Sequence, residues 1–394
     1  MVHRRGRHID DDGRDEVVSG AAATSWWAYD DEVEAGAVLL LDEDLRRQAL
    51  LHGPPGGSLG VTVAVVDGLS EPLVATHTLE THPLGGETYL LAPSAWGDDG
   101  ELAAHVASDV MPGVHGELSV RGLHSVAGQL WASAVSPGAD GAWAVLEADL
   151  PSAGRSWADA TVLTRDEPGE ALGLALASDG VGVAMGQSTW DEARGRAHWY
   201  PSKPVGETPA SALHTWSGAH PLAYFGIAMA LLGDSELDRR LVVVGAAGDD
   251  SDRARGGRVY VFDPQDVPDA LPLATIHGDR DGGFLGWAIH APGDVNGDGH
   301  DDLLVGAPGD RASDAVAGRA YLFTGPLRGE ITTVDAAWVF YGTQPGDETG
   351  SGLASGDFDG DGEVDLLIGR RGYEPPGMPF AGRIDRVLNT EIVW

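Results

Sequence analysis

Hydrophobic residues along this chain fall in short runs of about five, alternating with polar residues and bounded by glycine, proline or aspartate. Such runs are typical of β-strands, in which successive side chains point to opposite faces. No stretch repeats its hydrophobic positions with the three-to-four-residue spacing of an amphipathic helix. The pattern therefore predicts an all-β protein built from many short strands.

The same strand pattern returns at nearly regular intervals. A segment of the form Gly-x-hydrophobic-x-hydrophobic occurs seven times, with starting points 50 to 64 residues apart. Its copies are GAVLLL at 36, GETYLL at 86, GAWAVL at 141, GRAHWY at 195, GRVYVF at 257, GRAYLF at 318 and GRIDRV at 382. A second marker precedes the last six copies: SLGVTVA (Gly60), HGELSV (Gly116), LGLALA (Gly173), FGIAMA (Gly226), LGWAIH (Gly286) and SGLASG (Gly352).

Between the two markers lies a third strand, clearest in LVVVGAAG (241–248), DLLVGAPG (302–309) and DLLIGRRG (365–372), and a fourth strand follows. A four-stranded sheet cannot bury both of its faces alone, so repeated sheets must pack against one another. The sequence predicts a seven-bladed β-propeller of four-stranded antiparallel blades forming one domain, with two unrelated β-sandwiches as the alternative. The predicted units are 9–56, 57–113, 114–170, 171–223, 224–283, 284–349 and 350–394.

The first unit departs from this pattern. VVSGAAATSWW (17–27) matches the second strand of the other units, with no first strand before it, whereas GRIDRVLNTEIVW at the C-terminus supplies strands three and four of unit seven. We therefore expect the first blade to lack its innermost strand, and the natural chain to start upstream together with any export signal. Alternatively, residues 1–8 or the C-terminal tail fill the gap.

Charge and cysteine content exclude several classes of function. The chain has 25 Lys and Arg against 61 Asp and Glu, a net charge of −36. Such a field repels phosphate backbones and anionic lipid, which argues against nucleic-acid binding and membrane docking. The absence of cysteine excludes disulfides and thiolate metal sites. No apolar run reaches the length of a membrane span, so we expect no membrane insertion.

Two acidic segments have the spacing of calcium loops. They read Asp-x-Asn/Asp-x-Asp-Gly-x-x-Asp, and the glycine at position six, Gly299 or Gly362, permits the sharp turn that lets the oxygens converge. The predicted ligands are Asp294, Asn296, Asp298, the His300 carbonyl and Asp302 in one loop, and Asp357, Asp359, Asp361, the Glu363 carbonyl and Asp365 in the other. An EF-hand would require Glu at position twelve, where Val305 and Ile368 stand. Solvated acidic turns without metal are the remaining alternative.

A third loop before strand two of unit one matches in part. It offers Asp10, Asp12, the Arg14 carbonyl and Glu16, but begins with a histidine, and the alternative is a frayed acidic terminus. A fourth segment, Asp234-Ser-Glu236-Leu-Asp238, lacks the glycine and is shorter. We therefore expect two Ca²⁺ sites and regard the loop of unit one as a candidate for a third.

FGIAMA, DLLVGAP and GRVYVF resemble the FG-GAP repeat of the integrin α-subunit propeller and of many bacterial secreted proteins built from it. The resemblance extends over nearly the whole chain and is strongest in repeats five to seven. It implies blades in which a calcium loop joins strands one and two. It also implies a ligand on the face opposite those loops, and a place outside the cytoplasm, extracellular or periplasmic.

Loops predicted for that opposite face are rich in aromatic residues and arginine. The candidates are Trp26, Trp27, Tyr29, Trp190, Arg253, Arg255, Arg311, Arg370, Arg371 and Tyr373. Trp, Tyr and Arg are frequent in the energetic centres of interfaces, which indicates a recognition surface for a protein or a carbohydrate. The alternative is that the tryptophans pack between blades and the arginines pair with local acids.

The sequence contains no HExxH, phosphate-binding glycine loop or GxSxG motif. Its features therefore favour a non-catalytic, calcium-stabilised binding or adhesion module outside the cytoplasm. Two alternatives remain open: a calcium-bearing propeller enzyme acting on polysaccharide, similar to a lyase, and a structural domain of a larger surface protein.

Overall fold

The structure is a computed structural model. It describes residues 17–21, 37–41, 45, 47–52, 57–66, 73–80, 87–91, 109–112, 119–135, 142–148, 161–168, 172–173, 175–266, 271–311, 317–374 and 382–392.

The described residues form seven sheets, in which strands that follow one another in the chain pair antiparallel. The first sheet contains β1 (Val17–Ala21), β2 (Ala37–Leu41) and β3 (Arg47–His52). The second contains β4 (Gly57–Val66), β5 (Leu73–Glu80), β6 (Glu87–Leu91) and β7 (Asp109–Pro112), and the third contains β8 (Ser119–Val126), β9 (Gln129–Val135), β10 (Ala142–Ala148) and β11 (Thr161–Pro168).

The later repeats build four more sheets. The fourth contains β12 (Leu176–Ser178), β13 (Val183–Gln187), β14 (Arg196–Tyr200) and β15 (His214–Ser217), and the fifth contains β16 (Phe225–Asp234), β17 (Arg239–Ala246), β18 (Arg258–Phe262) and β19 (Ala274–His277). The sixth contains β20 (Ala288–Gly293), β21 (Asp302–Ala307), β22 (Arg319–Phe323) and β24 (Trp338–Tyr341), and the seventh contains β25 (Thr349–Gly356), β26 (Asp365–Arg370) and β27 (Arg383–Val387). The short helical segments are α1 (Trp190–Ala193) and the 3₁₀ turns Pro209–Ser211, Thr333–Asp335 and Asn389–Glu391.

The all-β prediction is confirmed, and each predicted unit has its own antiparallel sheet. The chain divides into two compact units: residues 1–173 with 204–208 and 358–360, and residues 174–203, 209–357 and 361–394. The first unit holds the first three sheets, with buried side chains such as Val74, Leu130 and Leu163. The second unit holds the other four sheets. The closed seven-bladed ring and the single-domain organisation stay predictions.

Within the second unit, neighbouring sheets share hydrophobic clusters, which explains why strand two reads as a continuous apolar run. Along β17, Val242 and Val244 pack toward the fourth sheet, whereas Val243 packs with Leu303 and Val305 of the sixth. The sixth sheet in turn uses Leu304 and Leu322 against Leu366 and Ile368 of the seventh. Both faces of these sheets are thus buried, and an alternating hydrophobic and polar pattern would leave polar groups in the core.

The marker glycines lie where the backbones of successive sheets touch. A Cβ atom on Gly306 would lie 2.0 Å from the carbonyl oxygen of Gly350, and one on Gly245 would lie 2.2 Å from that of Gly286. In unit seven the marker is Gly350 rather than the expected Gly352. Thr349 forms a parallel β-bridge with Gly318, as Phe225 does with Gly195 and Leu285 with Gly257, whereas a Cβ atom on Gly352 would meet nothing within 4 Å.

Two further elements differ from the prediction. β23 (Gly329–Thr332), from the segment between strands three and four of unit six, adds to the fifth sheet parallel to β19. The expected fourth strand of unit seven is absent from the described part of the C-terminal segment. There the chain turns at Asn389–Glu391, because the Asn389 N–H donates to Asp365 and the Leu388 N–H donates to Glu391. In the first sheet three strands are described, and residues 1–16 lie outside the described residues.

Candidate metal loops

The turn that joins β25 to β26 brings three carboxylates together. Asp357, Asp359 and Asp361 each offer an oxygen, and these oxygens lie within 4.8 Å of one another. The loop is shaped by its own backbone: the Gly362 N–H donates to Asp357 at 2.9 Å, and the Glu363 N–H donates to Asp361 at 2.8 Å. Gly362 has φ of 90°, which a residue with a side chain rarely adopts. The predicted glycine turn is therefore present.

The turn between β20 and β21 has the same outline with different contacts. Asp294 accepts hydrogen bonds from the N–H groups of Gly297 at 2.8 Å and Gly299 at 2.7 Å. The Asn296 amide donates to Asp298 at 2.9 Å. In this arrangement the backbone and the Asn296 side chain satisfy the acidic oxygens. Among the described residues the three-carboxylate cluster occurs in the loop 357–361 and not in this one.

The last aspartate of each loop is buried at the start of strand two. Asp302 has no exposed surface and accepts hydrogen bonds from the N–H groups of Val295 and Gly325. Burial raises the pKa of Asp302 to about 6, and the charges of Asp298 and Asp294 raise it further, against these hydrogen bonds. Asp365 is equally buried and accepts from the Asn389 N–H at 2.7 Å.

The loop 294–302 is anchored to the preceding sheet. Asp301 accepts hydrogen bonds from the Gly233 N–H at 2.8 Å and from Arg240 at 3.1 Å. The Ser235 hydroxyl and His300 Nδ1 lie 2.7 Å apart. These contacts hold the turn against the β16–β17 turn of unit five, while Asp294 and Asn296 are partly exposed and Asp298 is exposed.

The turn of unit five, the weakest calcium candidate, contains a guanidinium instead. Arg328 Nη2 lies 2.5 Å from Asp234 and 3.3 Å from Glu236. Burial alone would raise the pKa of Asp234, but the Leu237 N–H and Arg328 hold it below its usual value. Sequence reasoning missed Arg328, because it lies 94 residues from Asp234. The partial loop with Asp10, Asp12, Arg14 and Glu16 lies outside the described residues.

The structure separates the predicted recognition residues into two groups. Arg253, Arg255 and Arg311 are exposed, and their side chains have no ion-pair or hydrogen-bond partner among the described residues. The loop that carries Arg253 and Arg255 contacts the following turn, where the Gly282 N–H donates to the Ala254 carbonyl and the Phe284 N–H donates to the Arg255 carbonyl. This trio, Arg253, Arg255 and Arg311, is here called the arginine edge.

The other predicted recognition residues have local partners. Arg370, with 11% of its side chain exposed, pairs with Asp347 and Asp385, and Arg371 pairs with Glu348 at 2.7 Å. The Arg196 guanidinium lies 4.8 Å from the centre of the Trp190 ring, and Arg383 lies 5.4 Å from that of Tyr373. Arg370 and Arg371 thus pair with local acids, as the alternative expected, whereas Trp190 and Tyr373 each lie beside an arginine. Trp26, Trp27 and Tyr29 lie outside the described residues.

Among the described residues, no helix is long and apolar enough to cross a membrane.

Residues 286–323 match the FG-GAP repeat family. The chain is 29% identical to integrin alpha-5 of Xenopus laevis over 185 residues, 45% of this chain and 17% of that protein. It is 38% identical to integrin alpha-IIb of Mus musculus over 113 residues, 27% of this chain and 11% of that protein. It is also 38% identical to human phosphatidylinositol-glycan-specific phospholipase D over 107 residues, 25% of this chain and 12% of that protein. The matched segments thus span less than a fifth of these relatives' own length.

Proposed function

We propose that this chain, an integrin-α-like protein with FG-GAP repeats, is a non-catalytic, calcium-stabilised binding or adhesion module with a β-propeller fold that acts outside the cell. The observation that carries the proposal is the cluster of Asp357, Asp359 and Asp361, whose oxygens lie within 4.8 Å of one another. Three carboxylates this close repel one another in a protein of net charge −36, and a bound cation removes that repulsion.

The donor set fits calcium. Carboxylate and carbonyl oxygens are hard ligands, and a loop with ligands at alternate positions and glycine at position six suits the six to eight oxygens that Ca²⁺ takes. In the first loop the proposed ligands are Asp294, Asn296, Asp298, the His300 carbonyl and Asp302. In the second loop they are Asp357, Asp359, Asp361, the Glu363 carbonyl and Asp365. Asp10, Asp12, the Arg14 carbonyl and Glu16 are proposed for a third site.

The proposal for binding rests on the arginine edge. In this acidic chain, three exposed arginines without acidic partners among the described residues are the candidates for contact with anionic groups. The proposed partner is a protein or carbohydrate that presents carboxylate or sulfate groups. An extracellular location suits weak calcium loops, which are filled where calcium is abundant.

Metal binding is tested by thermal unfolding with calcium or with a chelator. A ligand that binds only the folded state at ~100 times its Kd stabilises it by about 2.7 kcal/mol per site, so calcium should raise Tm by several degrees. Asp359→Asn with Asp361→Asn should remove one calcium per chain in metal counting and reduce the shift. Asp281→Asn, at an exposed aspartate outside the loops, is the matched control. Equal Tm in calcium and chelator would contradict the proposal.

The arginine edge is tested with heparin as a defined anionic probe. Replacing Arg253, Arg255 and Arg311 by Gln should reduce retention on immobilised heparin without changing Tm, since these exposed side chains make no hydrogen bond or ion pair among the described residues. Lys203→Gln, at an exposed lysine of the second compact unit, is the control. Retention that is unchanged in the triple variant would exclude this edge as an anion site.

A further inference from the structure

A cavity of about 430 Å³ lies between the fourth and fifth sheets, inside the second compact unit. It is lined by the β12–β13 turn, the ends of β14 and β15, the start of β17 and the turn after β18. The β12–β13 turn joins strands one and two, as the metal loops do in units six and seven. The cavity therefore opens at the strand ends that carry the metal loops, away from the arginine edge.

One wall of the cavity is apolar and accessible. Val181 and Leu213 are 67% and 51% exposed at its mouth, and Trp199 lies behind them. A Cβ atom on Gly182 would lie 2.1 Å from the Trp199 ring, so the glycine lets the turn rest directly on the edge of the indole. Large apolar side chains exposed at the mouth of a cavity are typical of binding sites.

A buried polar side chain faces this wall. His214 lines the cavity and is only 5% exposed, yet neither of its ring nitrogens has a hydrogen-bond partner among the described residues. Its ring is held in place by stacking on Trp216, with ring centres 5.4 Å apart, and Trp216 stacks on Phe262 at 4.5 Å. The ring nitrogens are not among the buried atoms that lack a partner, so they reach the solvent of the cavity and are accessible to a ligand hydroxyl there.

The rest of the lining carries polar groups of both signs, and most are already fixed. Arg239 donates to Asp263 at 2.8 Å and Arg240 donates to Asp301 at 3.1 Å, while one oxygen of Asp179 accepts the Val181 and Gly182 N–H groups. Gln265 is exposed at the opposite side of the mouth. Because Asp263 and Asp301 neutralise the two arginines, Asp179 and Asp266 leave the lining slightly acidic, and it offers directional hydrogen-bond acceptors rather than a site for an anion.

We propose that this cavity binds a saccharide unit, a mono- or disaccharide end of a glycan. A sugar ring has an apolar C–H face that suits Trp199, Leu213 and Val181, and hydroxyls that both donate and accept hydrogen bonds. His214, Gln265 and the free oxygen of Asp179 are the matching polar partners. The site is distinct from the arginine edge and from the metal loops, and it goes beyond the proposed function.

The test is saturation-transfer NMR of the full chain with cellobiose, maltose, N,N′-diacetylchitobiose and digalacturonate, in calcium. At least one disaccharide should bind at millimolar or lower concentration. His214→Phe, which keeps the stacking and removes the ring nitrogens, should weaken that binding about tenfold, and Leu213→Ala should weaken it several-fold. Leu271→Ala, at a leucine 86% exposed outside the cavity, is the matched control and should bind as the unchanged protein does.

Two results would overturn the proposal. One is the absence of binding by all four disaccharides to protein that melts cooperatively. The other is binding that His214→Phe and Leu213→Ala leave unchanged, which would place the sugar elsewhere. Neither result bears on calcium binding, which is measured by melting and metal counting, so the two proposals fail separately.

Discussion

At the scale of single residues, the structure assigns a steric role to the strand-two glycine that lies against the marker glycine of the next sheet. A side chain on Gly306 would meet the Gly350 carbonyl oxygen at 2.0 Å, inside any tolerable contact. Gly306→Ala should therefore push two sheets apart and lower the free energy of unfolding by about 1–3 kcal/mol. Urea denaturation monitored by tryptophan fluorescence measures this loss.

Gly352→Ala provides the matched control for this substitution. An added methyl group there meets nothing within 4 Å, and the residue lies in the next sheet, two residues from Gly350. Its free energy of unfolding should change by less than about 1 kcal/mol. Equal losses in both variants would show that the contact between the sheets is not the reason why position 306 requires glycine.

The sequence pattern located the marker glycines but placed the last one two residues too late, because spacing alone does not show which glycine touches the neighbouring sheet.

At the scale of an element, the turn of unit five shows how a loop without the calcium pattern is held. Asp234 is buried, with 2% of its side chain exposed, and Arg328 reaches it from the next unit. Arg328→Gln leaves this carboxylate without its cation and should lower the free energy of unfolding by roughly 1–3 kcal/mol, since the arginine itself is a third exposed. Urea denaturation in the presence of calcium measures the change.

The control for Arg328 is Arg280→Gln. Arg280 is half exposed and lies 3.5 Å from its neighbour Asp279, an ion pair of the kind that adds little stability. We expect a change below about 0.5 kcal/mol. If Arg328→Gln changed the free energy of unfolding as little as Arg280→Gln, the Arg328 guanidinium would not stabilise the turn.

Elements were predictable where their determinants are close in sequence. The loops 294–302 and 357–365 contain their proposed ligands and turn glycine within nine residues, and the strands beside them carry their own apolar runs. The Arg328 contact and the parallel strand β23 depend on segments from a neighbouring unit, so no local pattern indicates them. The prediction of a fourth strand in unit seven was wrong for the described residues up to 392 for a related reason. Asp365 of β26 accepts a hydrogen bond from the Asn389 N–H, and the chain forms a turn there.

At the scale of the whole molecule, a net charge of −36 opposes folding by self-repulsion. Raising NaCl from about 0.01 to 0.15 M shortens the screening length from roughly 30 to 8 Å, so it should raise Tm when calcium is removed by a chelator. The same salt weakens surface ion pairs, but exposed pairs contribute about 0–1 kcal/mol each, less than the repulsion it screens. If calcium fills the proposed loops, the increase should be smaller in calcium, because the bound ions would neutralise part of this charge. A Tm that falls with NaCl in the chelated protein would show that ion pairs outweigh the net repulsion. Choline chloride is the control for the cation: it screens charge as NaCl does, so an equal rise in Tm would show that screening, and not sodium binding in the loops, is the cause.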